Sequence, residues 1–228
     1  MKNILLIMTG LVFLLGSCQK PVQIDVSEVK FVEETPNWEV HVEKSVFSSA
    51  DPKVNKACVA VNEAIQKRID TLQAQLKKDA DDLFSTFEKD TINRPVWSYQ
   101  LYVSDTVLMA DENYISVRMQ VYTFTGGAHG MTGFDAFNYD IKRQAFVAAD
   151  QVLNFKEAEK LNDLLARNFK DEQGCFTDKP TLTNGFTAFN LTPTAVCFTY
   201  PQYVLGPYSC GVAEVYIPRT ELQGLWLK

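Results

Sequence analysis

The sequence has few of the residues and motifs on which common catalytic and metal sites depend. Its only two histidines, His41 and His129, lie far apart, and it has no Cys-x-x-Cys pair, so it predicts no metal site. It also lacks a Gly-x-Ser-x-Gly turn and a His-Glu-x-x-His helix, which mark two large groups of hydrolases. From these absences we expect no catalytic residue and no cofactor, and we lean toward a protein that is not an enzyme.

Positive charge is also scarce. The chain has 22 Lys and Arg residues against 28 Asp and Glu residues, for a formal net charge of −6. No cluster of basic residues stands out, and phosphate binding requires one, so nucleic acid is not an expected partner. With 46% hydrophobic and 12% aromatic residues, the composition is typical of a folded chain and not of a disordered one.

A long apolar run occurs once, at residues 4–15, after the positive charge of Lys2. It is too short to span a bilayer comfortably, and it has the length of a signal-peptide core. Two small residues and Cys18 follow, in a pattern similar to a bacterial lipobox, in which the cysteine is lipidated. The sequence therefore predicts a lipoprotein signal peptide at 1–17 and a lipid anchor at Cys18. An ordinary secretory signal with a chance cysteine is the alternative.

The residue after that cysteine is Gln19, with no aspartate to indicate retention at the inner membrane. We therefore expect a protein of the cell envelope, lipid-anchored in the outer membrane of a Gram-negative bacterium.

Hydrophobic periodicity predicts two helices. Asp51 and Pro52 form a helix-start signal, and the apolar residues that follow recur every three or four positions as far as about Phe87. A second amphipathic helix is predicted at 155–169. Alternating or apolar runs predict strands at 24–32, 38–43, 97–103, 114–122, 134–139, 144–147, 186–191, 195–200 and 212–217.

This order of elements predicts an α+β fold with two small subdomains, each a mainly antiparallel sheet covered by one helix. After the signal peptide we expect a tether at 18–28, an N-terminal domain at 29–133 and a C-terminal domain at 134–228.

Two segments stand out as candidates for ligand binding. Four glycines fall within residues 126–133, so this stretch must be a loop with unusual backbone dihedrals or a close approach to another group. A segment rich in tyrosine and proline follows residue 198, and aromatic rings stack on sugars or anchor protein interfaces, although they can equally be core residues. The candidate ligand-binding residues are Gly126, Gly127, His129, Gly130, Tyr200, Tyr203 and Tyr208.

Three stretches together resemble a known pair of domains: 61–65 on the first helix, the Gly-Gly-Ala-His-Gly loop with the segments that follow it, and the aromatic segment 198–218. The resemblance is to the tandem extracytoplasmic domains of a lysozyme-binding anti-sigma factor (RsiV-type), also found before the catalytic domain of PdaC-type peptidoglycan deacetylases. It covers roughly residues 29–225. It implies a non-catalytic binding or sensing module for a glycan, a peptidoglycan fragment or an envelope-active protein such as lysozyme.

His129 supports two interpretations. It could hold its loop in place by bonding a backbone carbonyl, or it could be a general base in a hydrolase acting on cell-wall glycan, which is the alternative function. The hydrolase hypothesis predicts a Ser, Asp or Glu beside His129.

An oxidising envelope permits disulfides among the four remaining cysteines. Cys197 and Cys210 flank a turn-rich segment and form the possible pair, and Cys58 is expected to be a buried free thiol.

Overall fold

The computed structural model describes residues 23–89 and 92–227. The signal peptide at 1–17, Cys18 and the start of the tether lie outside the described residues. None of the helices in the described ranges is both long enough and apolar enough to cross a membrane.

Within these described ranges the chain forms two sheets and two main helices. The strands are β1 (Asp25–Glu34), β2 (Trp38–Ser48), β3 (Tyr99–Ala110), β4 (Tyr114–Phe124), β5 (Met131–Asp140), β6 (Ala145–Phe146), β7 (Ala188–Leu191), β8 (Ala195–Tyr200) and β9 (Ala213–Pro218). The helices are α1 (Pro52–Ser85), the short α2 (Ala149–Val152) and α3 (Ala158–Asn168).

Helix α1 begins where its capping signal predicts. The Asp51 carboxylate accepts hydrogen bonds from the backbone N–H groups of Lys53 and Val54, both at 2.9 Å, and Pro52 occupies the first turn. The apolar stripe of the helix is buried against one face of the first sheet, whose inward residues include Val40, Leu101 and Val117. The buried residues of α1 are Val54, Ala57, Cys58, Val61, Ile65, Ile69, Leu76, Ala80 and Phe84.

The first sheet has six strands in the order β1-β2-β3-β4-β5-β6, and the second has three in the order β7-β8-β9. All pairings are antiparallel except that of β2 with β3, which are parallel because α1 forms the crossover between them. The predicted α+β class, with two sheets and a helix for each, is confirmed.

A second core lies between the three-stranded sheet and α3. Leu161 and Leu165 of the helix are fully buried there with Phe198 and Val215 of the sheet. Strand β8 is buried along its whole length, since it is the central strand of this sheet and both of its faces are covered.

The three-stranded sheet covers part of the outer face of the six-stranded sheet, the face opposite α1, through a buried polar seam. Asn138 of β5 donates to the Phe189 carbonyl at 2.7 Å and its side-chain oxygen accepts from Ser116 at 2.7 Å. Asn190 of β7 donates to the Val117 carbonyl at 3.0 Å. Because these polar groups are buried, each bond across the seam fixes one sheet on the other.

Two predicted boundaries fall inside strands. β5 runs through the boundary placed after residue 133 and pairs with β4 from Met131 to Asp140, because its alternating side chains continue the first sheet. β1 begins at Asp25 and pairs with β2, so the last residues assigned to the tether belong to the sheet.

Candidate ligand-binding site

The glycine-rich loop joins β4 to β5 and takes the backbone conformations that its glycines allow. Gly126 and Gly127 have φ angles of +101° and +95°. A Cβ atom on Gly126 would lie 2.7 Å from the Trp97 ring, and one on Gly130 would overlap the ring of Tyr122. These positions therefore require glycine for its conformational freedom and its lack of a side chain.

The loop meets the tyrosine-rich segment at His129. The imidazole stacks on the Tyr208 ring, with centroids 3.9 Å apart and an interplanar angle of 21°, and its Nε2 lies 3.3 Å from the hydroxyl of Tyr203. Tyr208 donates to the Gly130 carbonyl at 3.1 Å, and the same carbonyl lies 3.0 Å from Nδ1 of His129. The structure thus brings together two segments that are about 70 residues apart, and we call His129, Tyr203 and Tyr208 the tyrosine–histidine cluster.

Tyr203 is held in a conformation that the backbone seldom adopts. Its φ angle is +68°, in the left-handed region that favours glycine, and its side chain is 56% exposed. Such a conformation in a residue other than glycine costs on the order of 1 kcal/mol. The fold therefore holds a largely exposed aromatic ring at a position where the backbone conformation is unfavourable.

Tyr200 is not part of this cluster, and its inclusion among the ligand-binding candidates is wrong. It lies in the second core, fully buried, and donates to the Thr181 carbonyl at 2.9 Å. The cause is the complete burial of β8, which leaves no face of that strand in contact with water. Burial also raises the pKa of the Tyr200 phenol well above its ordinary value.

A row of rings crosses the open part of the six-stranded sheet. His41, Tyr102 and Tyr122 are directly opposite one another on β2, β3 and β4, on the face away from α1. His41 contacts Tyr102 edge-on at 4.7 Å between centroids, and Tyr102 stacks on Tyr122 at 5.7 Å. We call these three residues the aromatic row.

The aromatic row and the tyrosine–histidine cluster are continuous. Gly130 packs on the ring of Tyr122, and its carbonyl accepts the hydrogen bond of Tyr208. Together the two groups form one surface of six rings, which we call the aromatic face. The row was not predicted from the sequence because it depends on strand register, although the alternation of Tyr102 and Tyr122 in their strands is a signal for it.

Carboxylates lie at the far end of the aromatic face. Glu34 and Glu39 are paired across β1 and β2, and their oxygens and the His41 ring nitrogen all lie within 4.8 Å of one another. This spacing would suit a metal ion, which the sequence did not indicate. Tyr102 donates a hydrogen bond to Glu39, and its pKa is raised to about 12, first by burial and then by this bond.

The contacts of His129 differ from those that the hydrolase hypothesis predicts. Within the described residues its hydrogen-bond and ring partners are the Gly130 carbonyl, Tyr203 and Tyr208. General-base catalysis by His129 would need a nucleophile or acidic partner within hydrogen-bond reach. The arrangement instead fixes the ring as part of a surface.

The disulfide beside this site joins Cys175 and Cys210, so the predicted pairing of Cys197 with Cys210 is wrong. Cys197 is a buried free thiol in β8, where the register of the sheet determines which residues lie opposite it on the neighbouring strands. Cys175 reaches Cys210 because its loop lies along the tyrosine-rich segment, where Thr177 donates to the Leu205 carbonyl at 2.9 Å. The disulfide therefore anchors the segment that carries Tyr203 and Tyr208. Cys58, as expected, is a buried free thiol.

The family models divide the chain into two regions in tandem. Residues 31–132 match the family described as Deacetylase PdaC, and residues 139–220 match a protein family of unknown function, DUF3298. These are the two regions that the resemblance implied, and the resemblance is therefore confirmed. The glycine-rich loop lies in the first region, and Tyr203 and Tyr208 lie in the second.

The chain is 27% identical over 181 residues to the peptidoglycan-N-acetylmuramic acid deacetylase PdaC of Bacillus subtilis, an alignment that covers 73% of this chain but only 38% of that protein. Two crystal structures share the fold. A DUF3298 family member from Bacteroides fragilis has a TM-score of 0.64 at 17% identity, covering 91% of this chain and 94% of its own. A DUF3298 family protein from Pseudomonas aeruginosa has a TM-score of 0.58 at 20% identity, covering 91% and 95%.

Proposed function

We propose that this chain, which carries the PdaC-type and DUF3298 regions in tandem, is a non-catalytic binding module of the bacterial cell envelope. Its ligand is the glycan of peptidoglycan, which it recognises through the aromatic face. A lipid anchor at Cys18, in the outer membrane, would hold it beside the wall.

The exposed tyrosine–histidine cluster is the observation that carries this proposal. Aromatic rings offer large, rigid surfaces that lose little entropy when a ligand covers them. Sugar rings present flat C–H surfaces for such contacts, and their hydroxyl groups can donate hydrogen bonds to carboxylates. The aromatic face supplies both, with six rings and the carboxylates of Glu34 and Glu39 at one end.

The named relative supports the choice of ligand. By its name, the Bacillus subtilis protein acts on N-acetylmuramic acid in peptidoglycan, and the region that it shares with this chain is a minor part of its length. In the Bacillus subtilis protein, a shared region that binds glycan would hold the enzyme near its substrate. In this chain the same region would tether the protein to the cell wall or sense the wall.

Calorimetric titration with soluble muropeptides, with a chitin trisaccharide and with lysozyme tests the proposal. The glycans should bind the native chain, and Tyr203→Ala should weaken that binding by about tenfold or more, as expected for an exposed aromatic anchor. The matched control is Tyr216→Ala, since Tyr216 of β9 is also exposed, at 41%, but its hydroxyl donates to Glu214 of the same strand and not to a residue of the aromatic face.

The three titrations separate the possible outcomes. Absence of glycan binding by the native chain contradicts the proposal. Equal weakening by Tyr203→Ala and Tyr216→Ala means that the aromatic face is not the site. Binding to lysozyme alone would make the ligand a protein.

A further inference from the structure

A second concave surface lies away from the aromatic face, where the two sheets meet beside α1. It is a groove with a cavity volume of about 810 Å³, within the range typical of ligand sites. One wall is formed by Ala64 and Arg68 of α1, and the opposite wall by Phe186 and Phe189. Residues 135–138 of β5 line it between those walls, and we call it the edge groove.

An unpaired strand edge opens into this groove. β4 pairs with β5 along its whole length, but on the other side β6 pairs only with Tyr139 and Asp140. Val147 donates to the Asn138 carbonyl, and in the described residues the main chain of 131–137 has no partner strand on this side. Outward N–H and C=O groups of an edge strand are a template for another strand.

The edge lacks the usual protection against such pairing. Residues 131–137 contain no proline and no lysine, and their one charged side chain, Asp135, is bonded to Nε of Arg68 at 2.8 Å. The one charge of this stretch is therefore neutralised by an ion pair and opposes an added strand less than a free charge would.

The walls suit the side chains of an extended peptide. Five phenylalanines line the groove, Phe137, Phe146, Phe155, Phe186 and Phe189, and Phe146 is 43% exposed. Successive side chains of a strand point to opposite sides, so alternate residues of an added strand would face α1 and the phenylalanines of the other wall.

Arg68 adds a charge preference. Only its Nε is bonded to Asp135, and Nη1 and Nη2 have no partner among the described residues. Paired guanidinium N–H groups of this kind match a carboxylate.

We propose that the edge groove binds an extended peptide segment, apolar at alternate positions and carrying one acidic side chain, by adding it as a strand to β5. Main-chain hydrogen bonds to the edge provide affinity, the phenylalanines select apolar side chains, and Arg68 selects the acid. This site is separate from the aromatic face and does not depend on its proposed glycan ligand.

Fluorescence anisotropy with labelled hexapeptides tests this proposal on the full chain. The probes alternate threonine with valine, leucine or phenylalanine, and each exists with glutamate or glutamine at one central threonine position. N-methylation of every second amide gives two further series. If the peptide adds as a strand, one N-methyl series should lose about tenfold or more in affinity and the other should bind normally, because only alternate amides face β5.

Variants of α1 test the charge preference. Arg68→Gln should remove the preference for glutamate over glutamine, whereas Lys78→Gln, on an exposed turn of the same helix, should preserve it. Failure of all the unmethylated probes to bind, or equal loss in both N-methyl series, would overturn the proposal. Normal binding by both N-methyl series would likewise overturn it and would point to simple apolar packing, since such packing does not use the peptide N–H groups.

Discussion

The outer face of the six-stranded sheet has two halves with opposite surfaces. One half carries Ser116, Arg118 and Asn138, and the three-stranded sheet covers it. The other half carries the half-buried rings of the aromatic row, which the glycine-rich loop meets at Tyr122. Polar side chains occur where their partners are part of the fold, because a buried polar group must be bonded. Large rings occur where the sheet is open, and we infer that their partner is a separate molecule.

Removing the Cys175–Cys210 disulfide should have the largest effect. The bond closes a loop of 35 residues, so its loss through Cys175→Ser and Cys210→Ser should lower the free energy of unfolding by about 3–4 kcal/mol. It should also weaken glycan binding, since the disulfide anchors the segment of Tyr203 and Tyr208. Urea denaturation measures the first effect and calorimetry the second.

Cys197 provides the contrast for the disulfide. Peptide mapping of the non-reduced protein should show a 175–210 link and a free thiol at Cys197. A 197–210 link would contradict the structure described for this segment.

Breaking the polar seam should have the second-largest effect on stability. Asn138→Ala removes the side-chain donor to the Phe189 carbonyl and the acceptor of the Ser116 hydroxyl, which still accepts from Asn190 and Leu191. A buried group left without a partner costs about 1–3 kcal/mol. We expect a loss of about 2–3 kcal/mol in urea denaturation. Asn113→Ala, in the exposed turn between β3 and β4, should change stability by less than about 0.5 kcal/mol. Equal effects at the two sites would mean that the seam does not join the sheets.

Tyr203→Gly should separate stability from binding. Glycine adopts a positive φ freely, so this change should leave the free energy of unfolding unchanged or raise it by up to about 1 kcal/mol, while glycan affinity falls. The same change at Tyr216, in the strand β9, should cost about 0.5–1 kcal/mol and leave affinity unchanged. A large loss of stability in Tyr203→Gly would show that the ring is structural.

The smallest expected effect is the contribution of the Tyr102 phenol to stability at high pH, which a titration measures. In the folded protein the pKa of Tyr102 is raised to about 12, against an ordinary value of about 10. The unfolded chain therefore loses this proton first, so the stabilisation from Tyr102 is complete below pH 10 and is lost as the pH rises toward 12. The difference in near-ultraviolet absorbance between the native chain and Tyr102→Phe should have its midpoint at about pH 12. A midpoint near that of a free tyrosine would mean that burial and the Glu39 bond do not protect the phenol.

Local signals in the sequence predicted much of the fold. The cap at Asp51 and the stripe of α1 depend on residues close in the chain, and each lies where it was expected. Strand alternation likewise predicted most of both sheets.

Long-range features were harder to predict. The pairing of Cys175 with Cys210 depends on how one loop lies against another, and the burial of Tyr200 depends on the second core and the Thr181 segment, which pack on its face of β8. The segments that carry His129, Tyr203 and Tyr208 were predicted as candidates because both are unusual in composition, but the sequence did not predict that these residues meet. Their connection to Tyr122 and Tyr102 needed the register of β3 and β4.

Backbone NMR spectra recorded during titration with a soluble muropeptide test the aromatic face most directly. If the glycan binds there, the amide signals of Tyr102, Tyr122, Gly130 and Tyr203 should shift together with one saturating curve, and those of α1 should stay in place. Shifts confined to other surfaces, or none at ligand concentrations that saturate other peptidoglycan-binding domains, would contradict the role proposed for the aromatic face.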